Sequence, residues 1–549
     1  MLSHTFLETP ASALVPLVPA QQRFHNDGTF LSYLIHAMDK LPQELINRIV
    51  WFAERYPDQE KWHSAIGQSF KPDGAPSQFP RLAILNRIWK EAVETITFHR
   101  LGVKSDELES LQSIVTGNRR KYLSWISFKA ELPTYSGEAY EHKESRLDQH
   151  ANNEAFTKAV SDLFTVLRTW EDNGVKNGVR LNIVGASSPT DFREVDELQI
   201  ELGECRDIQS ARWADSHLRL VQPENLPTLS NVQHLTIENW GGRRLAPSVA
   251  PNLGVALPEL RTVDWEFPDC EADSDAGSDQ DSSDSDFDPE WESATSPKAR
   301  ASARAEFANK LSTTHFRSLN SANIVLYHCT PSDQRYTVPS IVPEGYTYDP
   351  FSSSIRTFSQ CLTTLTLSAH VDPTLFWPSD KNAIPPSWPH LKSLDITFDM
   401  VAPSGKWYFT GPTPAYDSDD DPEHGVIGSV DTREFSWADF RQHPDPETFD
   451  PFLGALAKAV TQMPVLESFM LTSDMVGKTG KLHISYHAPG QRAEWGDEGP
   501  EDKDHRRIYY ACETGVWVPE PQISEGLKRA GVQKYGEEAI ERYVGSQYY

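Results

Sequence analysis

Cysteine is scarce and unpatterned in this chain: five in 549 residues (Cys205, Cys270, Cys329, Cys361 and Cys512), with no Cys-x-x-Cys pair. An odd, scattered set argues against a disulfide scaffold or a zinc knuckle and fits a reducing compartment. No Asn-x-Ser/Thr sequon occurs either. No apolar run approaches the roughly 20 residues a membrane helix needs. Leu14–Ala20 is broken by Pro16 and Pro19 and follows no basic residue, so it is a poor secretion signal. The expected location is cytoplasmic or nuclear, with no membrane partner. Positive charge is also short, 51 Lys and Arg against 79 Asp and Glu, for a formal charge of −28. Nucleic-acid binding depends on clustered cations that neutralise phosphates, so this balance argues against it. The best local basic cluster, Arg119-Arg120-Lys121, is expected to be a solvated turn.

Core material is ample despite a hydrophobic content of 38%, because the chain carries 15 Trp, 25 Phe and 18 Tyr. The dilution comes from polar insertions. Nine carboxylates fall within Asp269–Asp288. The tract 269–297 has almost no aliphatic residues, so it cannot offset its ordering entropy and is expected to be disordered. Tyr416–Glu423 is a second, shorter acidic loop, and residues 1–35 are expected to form a flexible arm. Ser278, Ser283, Ser285 and Ser418 each precede an aspartate by three positions, as acidophilic kinases favour.

Signatures of chemistry fail on inspection. Gly477-Lys478-Thr479 lacks the upstream glycine of a phosphate loop, where Thr472 stands, and Leu482–Ser485 alternates like a strand where a helix is required. His483 and His487 share a strand face without an acidic partner to complete a metal set, so they are expected to be satisfied surface histidines. No Gly-x-Ser-x-Gly elbow occurs. No catalytic residue, cofactor site or metal site is expected, and the chain is not read as an enzyme.

Two stretches near the N-terminus have helical periodicity. Leu41-Pro42-Gln43-Glu44-Leu45-Ile46 opens the first, over Leu41–Phe52, with proline and an acid suited to a first turn. Leu85, Ile88, Trp89, Ala92, Val93 and Ile96 line the second, over Leu82–Ile96. Glu60–Ile66 is the candidate middle helix, and Gln68–Pro80 has loop composition. The Leu-Pro-x-Glu opening and Leu85-Asn86-Arg87-Ile88-Trp89-Lys90 resemble the F-box. That resemblance covers about 60 residues, within 36–100. It implies docking on the Skp-family adaptor of a cullin-based ubiquitin ligase, with Leu41, Pro42, Leu45, Ile46, Ile49, Leu85 and Trp89 as the apolar contact set. It further implies a non-catalytic, substrate-recruiting subunit.

Downstream, a Leu-x-x-Leu-x-Leu frame recurs at Leu123/Ile126/Phe128, Val232/Leu235/Ile237, Leu260/Val263/Trp265, Leu362/Leu365/Leu367, Leu391/Leu394/Ile396 and Leu466/Phe469/Leu471. Intervals of 28 (232 to 260) and 29 (362 to 391) residues lie in the leucine-rich-repeat range. The longer intervals, up to 109 residues between 123 and 232, imply large insertions. Amphipathic stripes such as Phe156–Trp170, followed by the strand Val179–Ile183, supply the helices such repeats need. A second stripe, Phe452–Met463, carries Asp450 as its candidate cap and leads into Leu466–Leu471. The fold class is α/β: a helical F-box-like module, then an irregular leucine-rich-repeat-like solenoid with long insertions over 101–500, similar to domains that follow F-boxes in fungal proteins. A capping segment over 501–549 completes it, with strands at Arg507–Cys512 and Val516–Val518 and helices at Ile523–Ala530 and Tyr535–Val544. A non-repetitive α/β domain would share many of these features, and a free-standing repeat scaffold is the rival function.

If the frames are strands, the residues between the leucines face the other way. That face carries Glu238, Asp264, Glu266, Thr364, Thr366 and Asp395 and is the expected substrate-recognition surface. Its acidic end would favour a basic segment of an unidentified protein target.

Overall fold

The computed structural model describes residues 41–47, 79–136, 139, 142–174, 178–191, 212–213, 216–238, 243–269, 295–327, 331, 333–413, 440–474, 481–493, 502–512, 514–536 and 538–544. They fall in two compact units, Met1–Thr97 and Phe98–Tyr549.

In the first unit, residues 43–47 are helical, a 3-10 turn spans Phe79–Ile84, and a helix runs Arg87–Thr97. That helix begins five residues later than its periodicity predicts. The reason is Asn86, whose side-chain oxygen accepts from the amides of Ile88 (2.8 Å) and Trp89 (3.0 Å) and so caps the first turn. Ile46, Trp89, Ala92 and Val93 form a small core, with Leu41, Leu82, Ala83, Leu85 and Ile96 packed around it. Ile49, the candidate middle helix Glu60–Ile66 and the arm 1–35 lie outside the described residues.

The second unit is built on a twelve-stranded, mostly parallel sheet among the described residues. Its strands are β1 (Arg100–Lys104), β2 (Trp125–Glu131), β3 (Val179–Ser187), β4 (Val232–Ile237), β5 (Thr262–Pro268), β6 (Ser321–Tyr327), β7 (Thr364–Ala369) and β8 (Ser393–Phe398). A two-residue ribbon, β9 (Phe409–Thr410) with β10 (His443–Pro444), stands apart, and β11 (Ser468–Asp474), β12 (Lys481–His487), β13 (Arg506–Cys512) and β14 (Ala539–Val544) finish the large sheet. From β1 to β8 and on to β11, each strand pairs in parallel with the next in chain order. β12 then enters antiparallel between β11 and β13, and β14 returns parallel to β13 at the edge.

The connectivity follows from the frames. In every one, the three apolar positions are buried, for example Leu362, Leu365 and Leu367, while the intervening residues are half-exposed or exposed, Thr236 excepted. Right-handed crossovers between parallel strands that never reverse order all pass over one face. The crossover helices Arg146–Asp172, Val249–Val255, Pro297–Thr313, Pro350–Ser359 and Phe449–Ala459 therefore share a side, and their apolar residues join the frame residues in one core. The described residues of β1–β8 that point the other way are half-exposed or exposed, apart from the buried Asn182 and Thr236.

Two of the long frame intervals contain further strands rather than insertions alone. β3 carries the frame Gly178/Leu181/Ile183 and β6 carries Leu319/Ala322/Ile324, small residues hiding both from a leucine count. The insertion also starts later than composition places it. Asp269 is buried and bonded to Arg300 at 3.0 Å, and Ser296 caps the helix that begins at Pro297; 270–294, like 416–423 and Gly477–Thr479, lies outside the described residues. Thr448 holds the N-cap position of the 449–459 helix without a side-chain cap bond, its hydroxyl donating to the Trp407 carbonyl instead, and Asp450 lies inside the first turn. Arg119 and Arg120 are not a solvated turn. Their guanidiniums donate to the Ile114 and Val115 carbonyls at 2.9 Å each and lie over the Phe98 and Trp170 rings.

The C-terminal segment needs two corrections. Val516–Val518 is not a strand, and Ala539–Val544 is β14 rather than helix, because pairing with β13 satisfies its backbone and Tyr543 stacks on Tyr510 at 5.1 Å. The predicted helix at Ile523–Ala530 is found at Pro521–Leu527. Arg506, buried under it, donates to the Lys528 and Ala530 carbonyls at 2.6 Å each and closes the helix end.

Candidate functional site

The open face is organised by register. One line of aligned residues runs through every strand of the sheet: Gly102, Ser127, Asn182, Thr236, Asp264, Asn323, Thr366, Asp395, Met470, Ser485, Tyr509 and Arg542. A second line passes through Arg100, Trp125, Arg180, His234, Thr262, Ser321, Thr364, Ser393 and Ser468. Of the predicted recognition residues, Asp264, Thr366 and Asp395 stand in the first line, Thr364 stands in the second, and Glu266 lies two residues beyond Asp264. Glu238, just past β4, donates its amide to the Ile183 carbonyl at 3.0 Å. All six are half-exposed. Asp264 accepts from the Asn323 side chain at 2.7 Å, a cross-strand bond that fixes the carboxylate.

The face is zoned by charge, which local sequence windows miss. Its β1–β3 end carries Arg100, Lys104, Lys129 and Arg180 against Glu131, with Trp125 between the two arginines. The Arg100 and Arg180 guanidiniums lie 4.8 Å and 5.8 Å from the Trp125 ring centre. Lys104 and Lys129 are register partners, and the Lys129 ammonium is pulled down by burial and then by Lys104. Both line a cavity of about 130 Å³ with Glu131, Ser187 and Ser188 at the carboxyl ends of these strands. Burial, then Arg180, also lowers the pKa of His234 in the next strand.

Beside that end lies a buried polar cluster. Arg243 pairs with Glu144 and, at 3.3 Å, with Asp191, while Tyr135 donates to Asp191 at 3.0 Å. Burial pushes Tyr135 up to about 12 and raises Asp191. Every member is answered by another, so the cluster braces the chain after β2, β3 and β4.

On β12 and β13 the corresponding face is buried, while Ser468, Met470 and Thr472 of β11 remain half-exposed. His483 and His487 are buried rather than surface histidines; His483 Nδ1 is 3.2 Å from the Thr472 hydroxyl and His487 Nε2 is 3.2 Å from that of Ser485. Burial, then His487 and Lys481, drives His483 down to about 4. Among the described residues no group of three His, Cys, Asp or Glu side chains is placed to hold a metal ion, and no helix is long and apolar enough to cross a membrane.

The predicted adaptor contacts divide. Ile46 and Trp89 are fully buried in the first unit's own core, so they cannot serve as contact anchors. A helical apolar stripe looks the same in sequence whether it faces inward or outward. Leu41 and Leu85 are half-buried, Pro42 and Leu45 exposed. Ile84 (83% exposed) and Ile88 (40%) join Leu45 as outward apolar side chains.

A second buried network carries a pH signature. Asp372 accepts from the amides of Asp349 and Thr374 at 2.8 Å each, and burial, then the Asp349 charge, pushes its carboxyl up to about 6. The unfolded value is about 3.9. A carboxyl raised on folding contributes stability that is present below its unfolded pKa and lost as pH rises through the folded one. The urea midpoint of the large unit should therefore rise as pH falls from 7 to 5, and Asp372→Asn should flatten that rise. Equal pH dependence in both proteins would show that Asp372 titrates normally.

The fold defines an α/β protein whose parallel sheet is covered on one side and mostly half-exposed or exposed on the other over the described residues of β1–β8. The chain matches no protein-family model, and no curated protein matches it.

Proposed function

We propose that this chain is the substrate-recruiting subunit of an F-box-type ubiquitin ligase, working in the cytoplasm or nucleus. Its first unit would dock on a Skp-family adaptor and, through it, a cullin. The second unit, read as an irregular leucine-rich-repeat-like solenoid, would hold the target. The chain itself does no bond chemistry in this reading. It raises the target's effective concentration near a ubiquitin-conjugating partner. The observation that carries the proposal is the division into a small helical unit with its own apolar core and a separate large unit with an open polar face. Successive in-order parallel strands on Leu-x-x-Leu-x-Leu frames support the solenoid reading.

With Ile46 and Trp89 inside, the contact set becomes Pro42, Leu45, Ile84 and Ile88. Exposed apolar anchors dominate such interfaces at about 25 cal/mol per Å² buried. Leu45→Asp with Ile88→Asp should abolish co-purification of the adaptor while leaving the protein folded. Unchanged adaptor capture by that variant would remove the F-box assignment. Capture of other proteins without adaptor or cullin, by the unaltered chain, would favour a free-standing scaffold.

A further inference from the structure

We infer that the open face of β1–β5 docks an extended protein segment carrying an acidic block followed by a basic block. This rests on the proposal that the open face captures targets, and it names the class of segment captured. It also reverses the expectation that the acidic end alone recruits a basic partner.

The inference starts from where the charges lie. In a chain of net charge −28, the β1–β3 end of this face holds four cations, Arg100, Lys104, Lys129 and Arg180, against one anion, Glu131. Arg100, Lys104 and Arg180 are exposed. Immediately alongside, Glu238, Asp264 and Glu266 make the β4–β5 end anionic, with His234 between the zones. Like charges gathered in register repel one another, and Lys104 and Lys129 are direct register partners; burial first and then Lys104 lower the Lys129 ammonium. An anionic partner on β1–β3 relieves that repulsion and a cationic one on β5 relieves its counterpart. Trp125, held between two guanidiniums, gives the acidic block a flat, rigid floor.

Spacing sets the segment's length. The charge centre moves from β2 to β5, three strand intervals or roughly 14 Å, which is about four residues of extended chain. A peptide running across the strands thus meets both zones if its blocks are centred about four residues apart. A uniformly acidic or uniformly basic segment would be repelled at one end.

The probe is a fluorescein-labelled heptapeptide of three glutamates, one serine and three lysines, measured by anisotropy against the full-length protein at low salt. The comparator is an alternating Glu/Lys peptide of the same composition. The block peptide should bind several-fold more tightly, weaken steeply with added salt, and lose about tenfold on Arg100→Glu with Arg180→Glu. Arg100→Gln with Arg180→Gln should lose less, and melting curves of both variants should overlay the parent's. Equal binding of the two peptides, or indifference to the charge reversal in folded protein, overturns the inference. So does tighter binding of a uridine-rich RNA oligonucleotide that the same substitutions abolish, because the patch would then read phosphates. Adaptor co-purification from the same preparations separates the two readings. Adaptor retained without block preference ends the docking inference alone, and block preference without adaptor ends the ligase reading alone.

Discussion

Arg304→Ala should destabilise the large unit by about 3–5 kcal/mol, among the largest single-residue effects in the molecule. The Arg304 guanidinium is buried and wholly committed. Its Nε and Nη2 donate to the two Asp349 oxygens at 3.0 and 2.6 Å, Nη1 donates to Asp269 at 2.7 Å, and Nη2 also reaches the His370 carbonyl at 2.6 Å. The plane lies 4.6 Å from the Phe351 ring centre. Burial alone would lower its pKa, but Asp349 and then Asp269 outweigh burial and raise it. Asp269 keeps Arg300 when Arg304 is removed, whereas Asp349 loses the guanidinium it pairs with while still capping the helix Pro350–Ser359. An uncompensated buried carboxylate is the expensive outcome. Calorimetry of the large unit's transition is the measurement, and a loss below about 1 kcal/mol would mean that water reaches the site and solvates the anion.

Trp89→Ala should unfold the first unit and leave the second untouched. Removing a fully buried indole costs about 3–5 kcal/mol, and Trp89 is the largest side chain in the core that the described residues of this unit form. Two thermal transitions in the parent protein should become one, with the surviving transition unshifted. Leu45→Asp, at an exposed position, should move either transition by no more than about 0.5 kcal/mol. If Trp89→Ala retained both transitions, Trp89 would not be the keystone of that core, and its role as a docking anchor would return.

These contrasts show what the sequence made legible. The six leucine frames all became strands with their apolar residues inward, because a period-two pattern with one covered face has only one consistent register. β6 escaped because Ala322 fills the place of a leucine; β3 was read as a strand over Val179–Ile183 but not as a frame, because Gly178 opens it. β14 was misread as helix: in a six-residue stretch with Ile540, Tyr543 and Val544 apolar, helical and strand spacing are hard to separate. Trp89 was found but turned the wrong way, since one helix's stripe does not say what covers it. The Arg304 network was invisible because Asp269 sits at the lip of an acidic tract that composition alone assigns to solvent. The basic zone was missed because Arg100, Lys129 and Arg180 belong to three strands and meet only through register.

The in-order entry of strands also bears on how the chain is made. After β1, each of the next eight parallel strands finds its partner already present when it leaves the ribosome, so the sheet can grow vectorially without waiting for distant sequence. The same order continues through β12, β13 and β14, each pairing with the strand made before it, antiparallel at β12 and β13 and parallel again at β14. Nascent chains stopped before Lys481 should already resist proteolysis over β1–β8, and longer ones should gain protection over β12, β13 and β14 in turn.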